Sequence, residues 1–171
     1  MSEGFYLPNG VGLSSQDETW KTPGYIYRSL DEEFHFTLDG AALKSSTLCP
    51  IWYGPDHDDP EMRDALVRDW HKDTDGAIYL NPPYGRGIGK WMEKANLEAK
   101  LGATVVCLIP ARTDTSWWWD YCVPYEIRFI RGRLKFNEGK KDAPFPSAII
   151  VISQKTFGHP TEWIGAYRAT S

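Results

Sequence analysis

No stretch of the sequence approaches the ~18 consecutive apolar residues needed to span a bilayer. The opening MSEGFYLPNG has no basic start followed by an apolar run, so a secretory signal is not expected either. Cysteine is scarce: Cys49, Cys107 and Cys122 are odd in number and widely spaced, with no CxxC pair. That excludes a disulfide scaffold and a thiolate zinc site, and points to a reducing, cytoplasmic setting. The histidines His35, His57, His71 and His159 show no ligand spacing. Asp56-His57-Asp58-Asp59 gathers acids without a calcium-loop pattern, so no metal is expected. Positive charge is not in excess. A net charge of -4 excludes a nucleic-acid binder working through one broad basic face and confines any such contact to a local surface.

What is present in excess is aromatic surface, 14% of residues with eight tryptophans, which suits both a core of large side chains and a surface that stacks flat ligands. Residues 1–19 are polar and without periodicity and read as a flexible lead-in, leaving 20–171 as one domain with no linker or repeat. Thr22-Pro23 reads as a helix start, with Thr22 as N-cap, and Phe36 to Asp39 as a short strand. A helix is expected from Glu61 to Trp70, a buried strand over Ala77 to Leu80, and a helix from Ile88 to Leu101. Ala103 to Ile109 (ATVVCLI) is a continuous apolar run, as in a parallel strand covered on both faces. After a helix through Trp117 to Tyr121, strands are expected at Ile127 to Ile130, Leu134 to Phe136 and Ser147 to Ile152. The pattern predicts an α/β fold: a mostly parallel sheet with helices on both faces and an antiparallel C-terminal hairpin.

Ligands of open α/β sheets sit beyond the carboxyl ends of the strands. Three polar clusters fall at those ends: Asp39, Asn81 to Tyr84, and Arg112 to Asp114. The most informative is Asn81-Pro82-Pro83-Tyr84. Two prolines fix φ twice, remove two donors and force extended geometry on the residue before each. The stiff turn that results offers acceptors, the Asn81 side-chain oxygen and the Pro82 carbonyl, which together suit a planar NH2 group. The ring of Tyr84 can stack on the heterocycle bearing that amine. Asp39 also suits a plain helix cap, Arg112 a surface ion pair, and Asp64 a solvent-facing helical acid.

These four residues match the catalytic motif of amino-methyltransferases, and the wider pattern resembles the phage-type DNA N6-adenine methyltransferase family. The resemblance runs from about Trp20 to Ser153. It includes Trp20-Lys21-Thr22-Pro23, Leu38-Asp39-Gly40-Ala41-Ala42, Asp64-Ala65-Leu66, Pro110-Ala111-Arg112-Thr113-Asp114-Thr115 and Arg131-Gly132-Arg133-Leu134-Lys135-Phe136. It implies a Rossmann-like S-adenosylmethionine-dependent domain, with Asn81, Pro82, Pro83 and Tyr84 as the catalytic turn. Cofactor contacts are implied at Thr22, Pro23, Asp39, Gly40, Ala41, Ala42, Asp64, Leu66 and Asn81. Asp39 would receive the methionine ammonium, although the glycine-rich FxGxG form of larger methyltransferases is absent. Tyr84, Arg112, Asp114, Trp117 and Arg133 are expected to meet substrate, with Lys135, Lys140 and Lys141 adding to a local basic ridge.

The implied partner is DNA, with the target adenine flipped from the duplex, and a phage origin would set the enzyme in host cytoplasm. The motif alone serves planar amines generally. It leaves open a protein glutamine, an RNA adenine, cytosine N4 in DNA, or a non-catalytic nucleic-acid-binding module on the same fold.

Overall fold

The computed structural model describes residues 20–136 and 141–154, with the backbone of short strands at Phe5–Tyr6, Gly12–Leu13 and Tyr167–Arg168. The expected flexible lead-in over 1–19, the tail after Gln154, and the lysine side chains at 140 and 141 thus lie largely or wholly outside the described residues. Within the lead-in, β1 (Phe5–Tyr6) pairs antiparallel with β2 (Gly12–Leu13).

Helix α1 (Gly24–Phe34) opens the main body and buries Ile26 and Leu30, one turn apart on one face. It ends at His35, which takes the left-handed conformation (φ 55°), while the Asp31 carboxylate accepts the Phe36 N–H at 2.8 Å. The chain then enters β3 (Phe36–Asp39), β4 (Ile51–Trp52) and β5 (Ala77–Leu80). Helix α3 (Ile88–Lys100) crosses over to β6 (Val105–Pro110), and α4 (Ser116–Tyr121) leads to β7 (Glu126–Arg131). The short β8 (Lys141–Asp142) and then β9 (Ser147–Ile152) and β10 (Tyr167–Arg168) follow. The sheet order is β10-β7-β9-β6-β5-β3-β4.

Strands β4, β3, β5 and β6 are parallel; β9 runs antiparallel to both β6 and β7. Inserted between them, β9 leaves β7 parallel to β6, so hairpin residues 132–136 and 142–146 come out on the same edge as the carboxyl ends of β3, β5 and β6. Alternation along the strands sends Ile78, Leu80, Val105, Cys107 and Ile109 to a core with α3 and α4. Tyr79, Val106, Leu108 and Ile149 face the opposite core with α1. Helices therefore cover both faces, as the apolar ATVVCLI run requires. Each fully buried Leu or Ile contributes roughly 1.5–3 kcal/mol by leaving water.

Three expectations need correction. The segment expected as a helix from Glu61 to Trp70 is two 3-10 turns, Pro60–Met62 and Ala65–Val67, followed by a short α2 (Trp70–Asp73). Asp59 and Asp64 each cap a turn, so the chain restarts twice instead of propagating one helix. Leu134 to Phe136 is not a strand; a lone bridge joins Lys135 to Asp142. Leu134 and Phe136 instead turn wholly into the core. Thr22 does not cap α1: the N-cap position falls on Pro23, whose side chain has no acceptor, and the Thr22 hydroxyl bonds to Asn81 and Tyr79 instead.

Candidate active site

The end of β5 delivers Asn81. Two prolines follow, and Gly85 at φ 138° then turns the chain in a conformation that side-chain-bearing residues rarely adopt. The stiff turn holds Asn81 where its amide meets the segment before α1. Its Nδ2 donates to the Trp20 carbonyl at 2.7 Å and to Thr22 Oγ1 at 3.2 Å. Thr22 Oγ1 also shares a hydrogen bond with the Tyr79 hydroxyl at 2.6 Å. On its other side, Asn81 Oδ1 accepts from the Tyr84 hydroxyl at 2.8 Å. That hydroxyl has the Leu108 carbonyl at 3.2 Å as a second acceptor. Burial pushes both tyrosine hydroxyls well above their ordinary range, so both stay protonated and able to donate at any working pH.

An aromatic wall encloses this amide. The Trp20 and Tyr84 rings are stacked at 6.3 Å between centroids, 26° apart. Phe136 and Phe145, from the two arms of the hairpin, meet both rings edge-on. Arg112, beyond the end of β6, lies 6.0 Å from the Phe145 ring centroid. The Tyr84 ring that was expected to stand ready for a substrate ring is thus partly occupied by Trp20.

One strand over, Asp39 ends β3 in register with Tyr79 of β5. Its carboxylate is 3% exposed, and its bonds are two long backbone donors, Ala41 N–H at 3.3 Å and Leu48 N–H at 3.2 Å. No cationic side chain among the described residues reaches it. Burial raises its pKa to about 7, against the lowering pull of those two N–H groups. A buried carboxylate lacking a cation is suited to receive one from a ligand, and the methionine ammonium of S-adenosylmethionine fits that need. Gly54 tightens the loop above it: a Cβ there would lie 1.9 Å from the Ala42 carbonyl oxygen. The small residues Gly40, Ala41 and Ala42 therefore sit beneath a closely applied second loop from the end of β4.

The structure thus gathers Thr22, Asp39 to Ala42, Asn81 to Tyr84 and Arg112 on one sheet edge. Asp64 is engaged locally, its Oδ1 accepting the Leu66 N–H at 3.1 Å, and no contact joins it to Asp39 or Asn81. Trp117 is half-buried against the core and packs over Gly89 of α3. The outward tryptophan is Trp119, 62% exposed, with its indole N–H donated to the Thr113 carbonyl at 3.0 Å. Arg112, Asp114, Arg133 and Lys135 are exposed on the loops of this edge, and Arg131 is exposed at the end of β7. Tyr79, Phe136 and Phe145 were not singled out from sequence, where each reads as an ordinary core aromatic. Among the described residues no group of His, Cys, Asp or Glu assembles a metal site, and no helix is long and apolar enough to cross a membrane.

A family model described as DNA N-6-adenine-methyltransferase (Dam) matches residues 12–169, which is nearly the whole chain and includes every residue of this edge. A search of curated proteins returned no match.

Proposed function

The chain belongs to the DNA N-6-adenine-methyltransferase (Dam) family, and on that premise we propose that it transfers a methyl group from S-adenosylmethionine to the N6 amino group of adenine in DNA. The observation that carries the reading is the Asn81 amide. Both its hydrogens face acceptors, so its oxygen is committed as an acceptor within a turn that two prolines hold stiff.

S-adenosylmethionine, when bound, supplies an electrophilic methyl on a sulfonium. Asp39 would hold the ammonium of its methionine part, Gly40, Ala41 and Ala42 would admit it close to the backbone, and Asp64 and Leu66 would meet the adenosine. The protein's own task lies on the amine side. An exocyclic N6 is a weak nucleophile because its lone pair is delocalised into the ring. Hydrogen bonds from its two hydrogens to Asn81 Oδ1 and the Pro82 carbonyl draw the nitrogen out of plane and localise that lone pair. The surplus proton of the methylated nitrogen leaves to water, so no histidine or carboxylate base is required. Reaching the site requires the adenine to leave its stack, at roughly a few kcal/mol. Tyr84 and its aromatic neighbours supply the stacking surface that offsets this cost.

A nucleic acid is favoured over a protein glutamine by what surrounds the site, and the family match favours DNA over RNA. Arg112, Arg131, Arg133 and Lys135 stand exposed on this edge, which concentrates positive charge locally although the chain carries a net charge of -4. Trp119 adds an exposed stacking ring on α4, bonded to the Arg112 loop.

The test is transfer of labelled methyl from S-adenosylmethionine to unmethylated DNA, with Asn81→Ala alongside and the product nucleosides separated by mass. Label in N6-methyladenine that vanishes in the variant is the expected result. Label confined to RNA, protein or cytosine would overturn the substrate. No binding of the cofactor would overturn the enzyme.

A further inference from the structure

An asparagine amide can occupy its site in two orientations related by a half-turn, and only one presents oxygen to an incoming amine. At Asn81 the choice is made by neighbours distant in sequence. The Trp20 carbonyl, 2.7 Å from Nδ2, is an acceptor only; a turned amide would set oxygen against oxygen there. Thr22 Oγ1, 3.2 Å away, takes the second amide hydrogen. The Thr22 hydroxyl has a rotor of its own, and the buried Tyr79 hydroxyl at 2.6 Å stops it. The chain Tyr79–Thr22–Asn81–Tyr84 is thus continuous, with each link at hydrogen-bond distance. Thr22 lies one residue before the N-cap position of α1, which falls on Pro23, so its hydroxyl is not engaged by the helix and is available to this chain.

We propose that Thr22, held by Tyr79, is a positioning residue that keeps the Asn81 amide turned with its oxygen as the acceptor for the substrate amine. Its hydroxyl acts on catalysis through Asn81 and does not bind the cofactor. The assignment rests on the reaction proposed above for its kinetic consequence, and on hydrogen-bond geometry alone for its structural one.

Thr22→Val keeps the shape and removes the hydroxyl; Thr22→Ser restores it; Tyr79→Phe removes the restraint from the far side. With DNA as substrate, Thr22→Val is expected to lower kcat by about ten-fold, with KM for S-adenosylmethionine unchanged, and Thr22→Ser to recover most of the loss. Tyr79→Phe is expected to lower kcat in the same sense, and the double variant to lose little more than Thr22→Val, since both act through one chain. A raised KM for the cofactor at unchanged kcat would overturn the assignment and make Thr22 a cofactor contact. An unchanged kcat would also overturn it, while leaving the methyltransferase reading intact.

Exchange of the Asn81 side-chain amide hydrogens, followed by NMR on asparagine-labelled protein with Asn81→Asp identifying the pair, needs no turnover. Protection in the native protein that falls in Thr22→Val and returns in Thr22→Ser supports the assignment. An amide that exchanges freely in the native protein sinks it, whatever the activity.

Discussion

The hydroxyl of Tyr84 donates to the side-chain oxygen of Asn81 at 2.8 Å, three residues back along the same turn. The tyrosine therefore supplies more than a stacking ring. It occupies one lone pair of the oxygen proposed to accept the amine, and the Leu108 carbonyl at 3.2 Å gives its proton another place to go. Tyr84→Phe keeps the ring and removes this link. We expect kcat to drop by about five-fold, in keeping with one net hydrogen bond near 1 kcal/mol, with DNA affinity nearly unchanged. Tyr84→Ala also removes the ring that meets Trp20, Phe136 and Phe145, and should weaken both steps. Steady-state kinetics on one oligonucleotide substrate separates the two variants.

If Asp39 receives the cofactor ammonium as proposed, cofactor affinity depends on pH. Its carboxyl titrates at about 7 in the free protein because burial disfavours the charge, whereas the ordinary value is 3.8. Ammonium capture requires the carboxylate. Binding should therefore tighten as pH rises towards 7 and level off above it, and weaken towards about ten-fold per unit on the acid side. Stability runs the other way. The folded-state pKa is raised, so the folded protein loses stability as pH climbs from the unfolded value through 7. Asp39→Asn should thus melt higher than the parent at pH 8 while binding S-adenosylmethionine poorly and without this pH dependence. Calorimetry in two buffers of different ionisation enthalpy reads the proton released on binding at pH 6. A pH-independent affinity in the parent protein would remove Asp39 from the ammonium site.

Much of this edge was legible before any coordinates. A six-residue strand with every position buried follows from the unbroken run in ATVVCLI, and the stiff turn at Asn81 follows from two prolines. Both are local chemistry. What escaped is non-local. The bond from Thr22 to Asn81 spans 59 residues, so the sequence offers Thr22 as a cap and, by resemblance, as a cofactor contact, but not as a hydrogen-bond partner of Asn81. Asp59 and Asp64 each close a separate turn, which breaks the apparent helix from Glu61 to Trp70. Among the three consecutive tryptophans, spacing establishes that they cannot share a face, but only the packing of α4 on α3 decides that Trp118 is buried and Trp119 faces outward.

Charge and stacking on the edge proposed to face DNA are separable by salt. If Arg133 neutralises one phosphate, Arg133→Ala should lower affinity for every duplex alike and reduce the slope of log K against log salt by ~0.9. Trp119→Ala removes an uncharged ring, so it should weaken binding by roughly 1–3 kcal/mol with the slope unchanged. Fluorescence anisotropy across a salt series measures both. A change of slope in Trp119→Ala would mean that the ring acts by holding the Arg112–Thr115 loop, to which its indole N–H is bonded.

Gly54 offers a test of the proposed cofactor edge through a residue that is not itself a proposed cofactor contact. Its Cα lies so close to the loop after β3 that an added Cβ would fall 1.9 Å from the Ala42 carbonyl oxygen and 2.9 Å from the Trp52 ring. Neither neighbour can yield easily. The Ala42 N–H is bonded to the Tyr53 carbonyl at 2.9 Å, and the Gly54 N–H to the Met62 carbonyl at 3.1 Å, so backbone on both sides is already committed. Gly54→Ala must therefore push the two loops apart, and strain of this kind costs about 1–3 kcal/mol. The displaced residues include Ala42, three positions from Asp39. We expect a lower melting temperature together with a loss of S-adenosylmethionine affinity larger than the loss of DNA affinity. Unchanged cofactor affinity in a protein that still folds would mean that the cofactor does not lie against this loop, and would move its site away from the carboxyl end of β3.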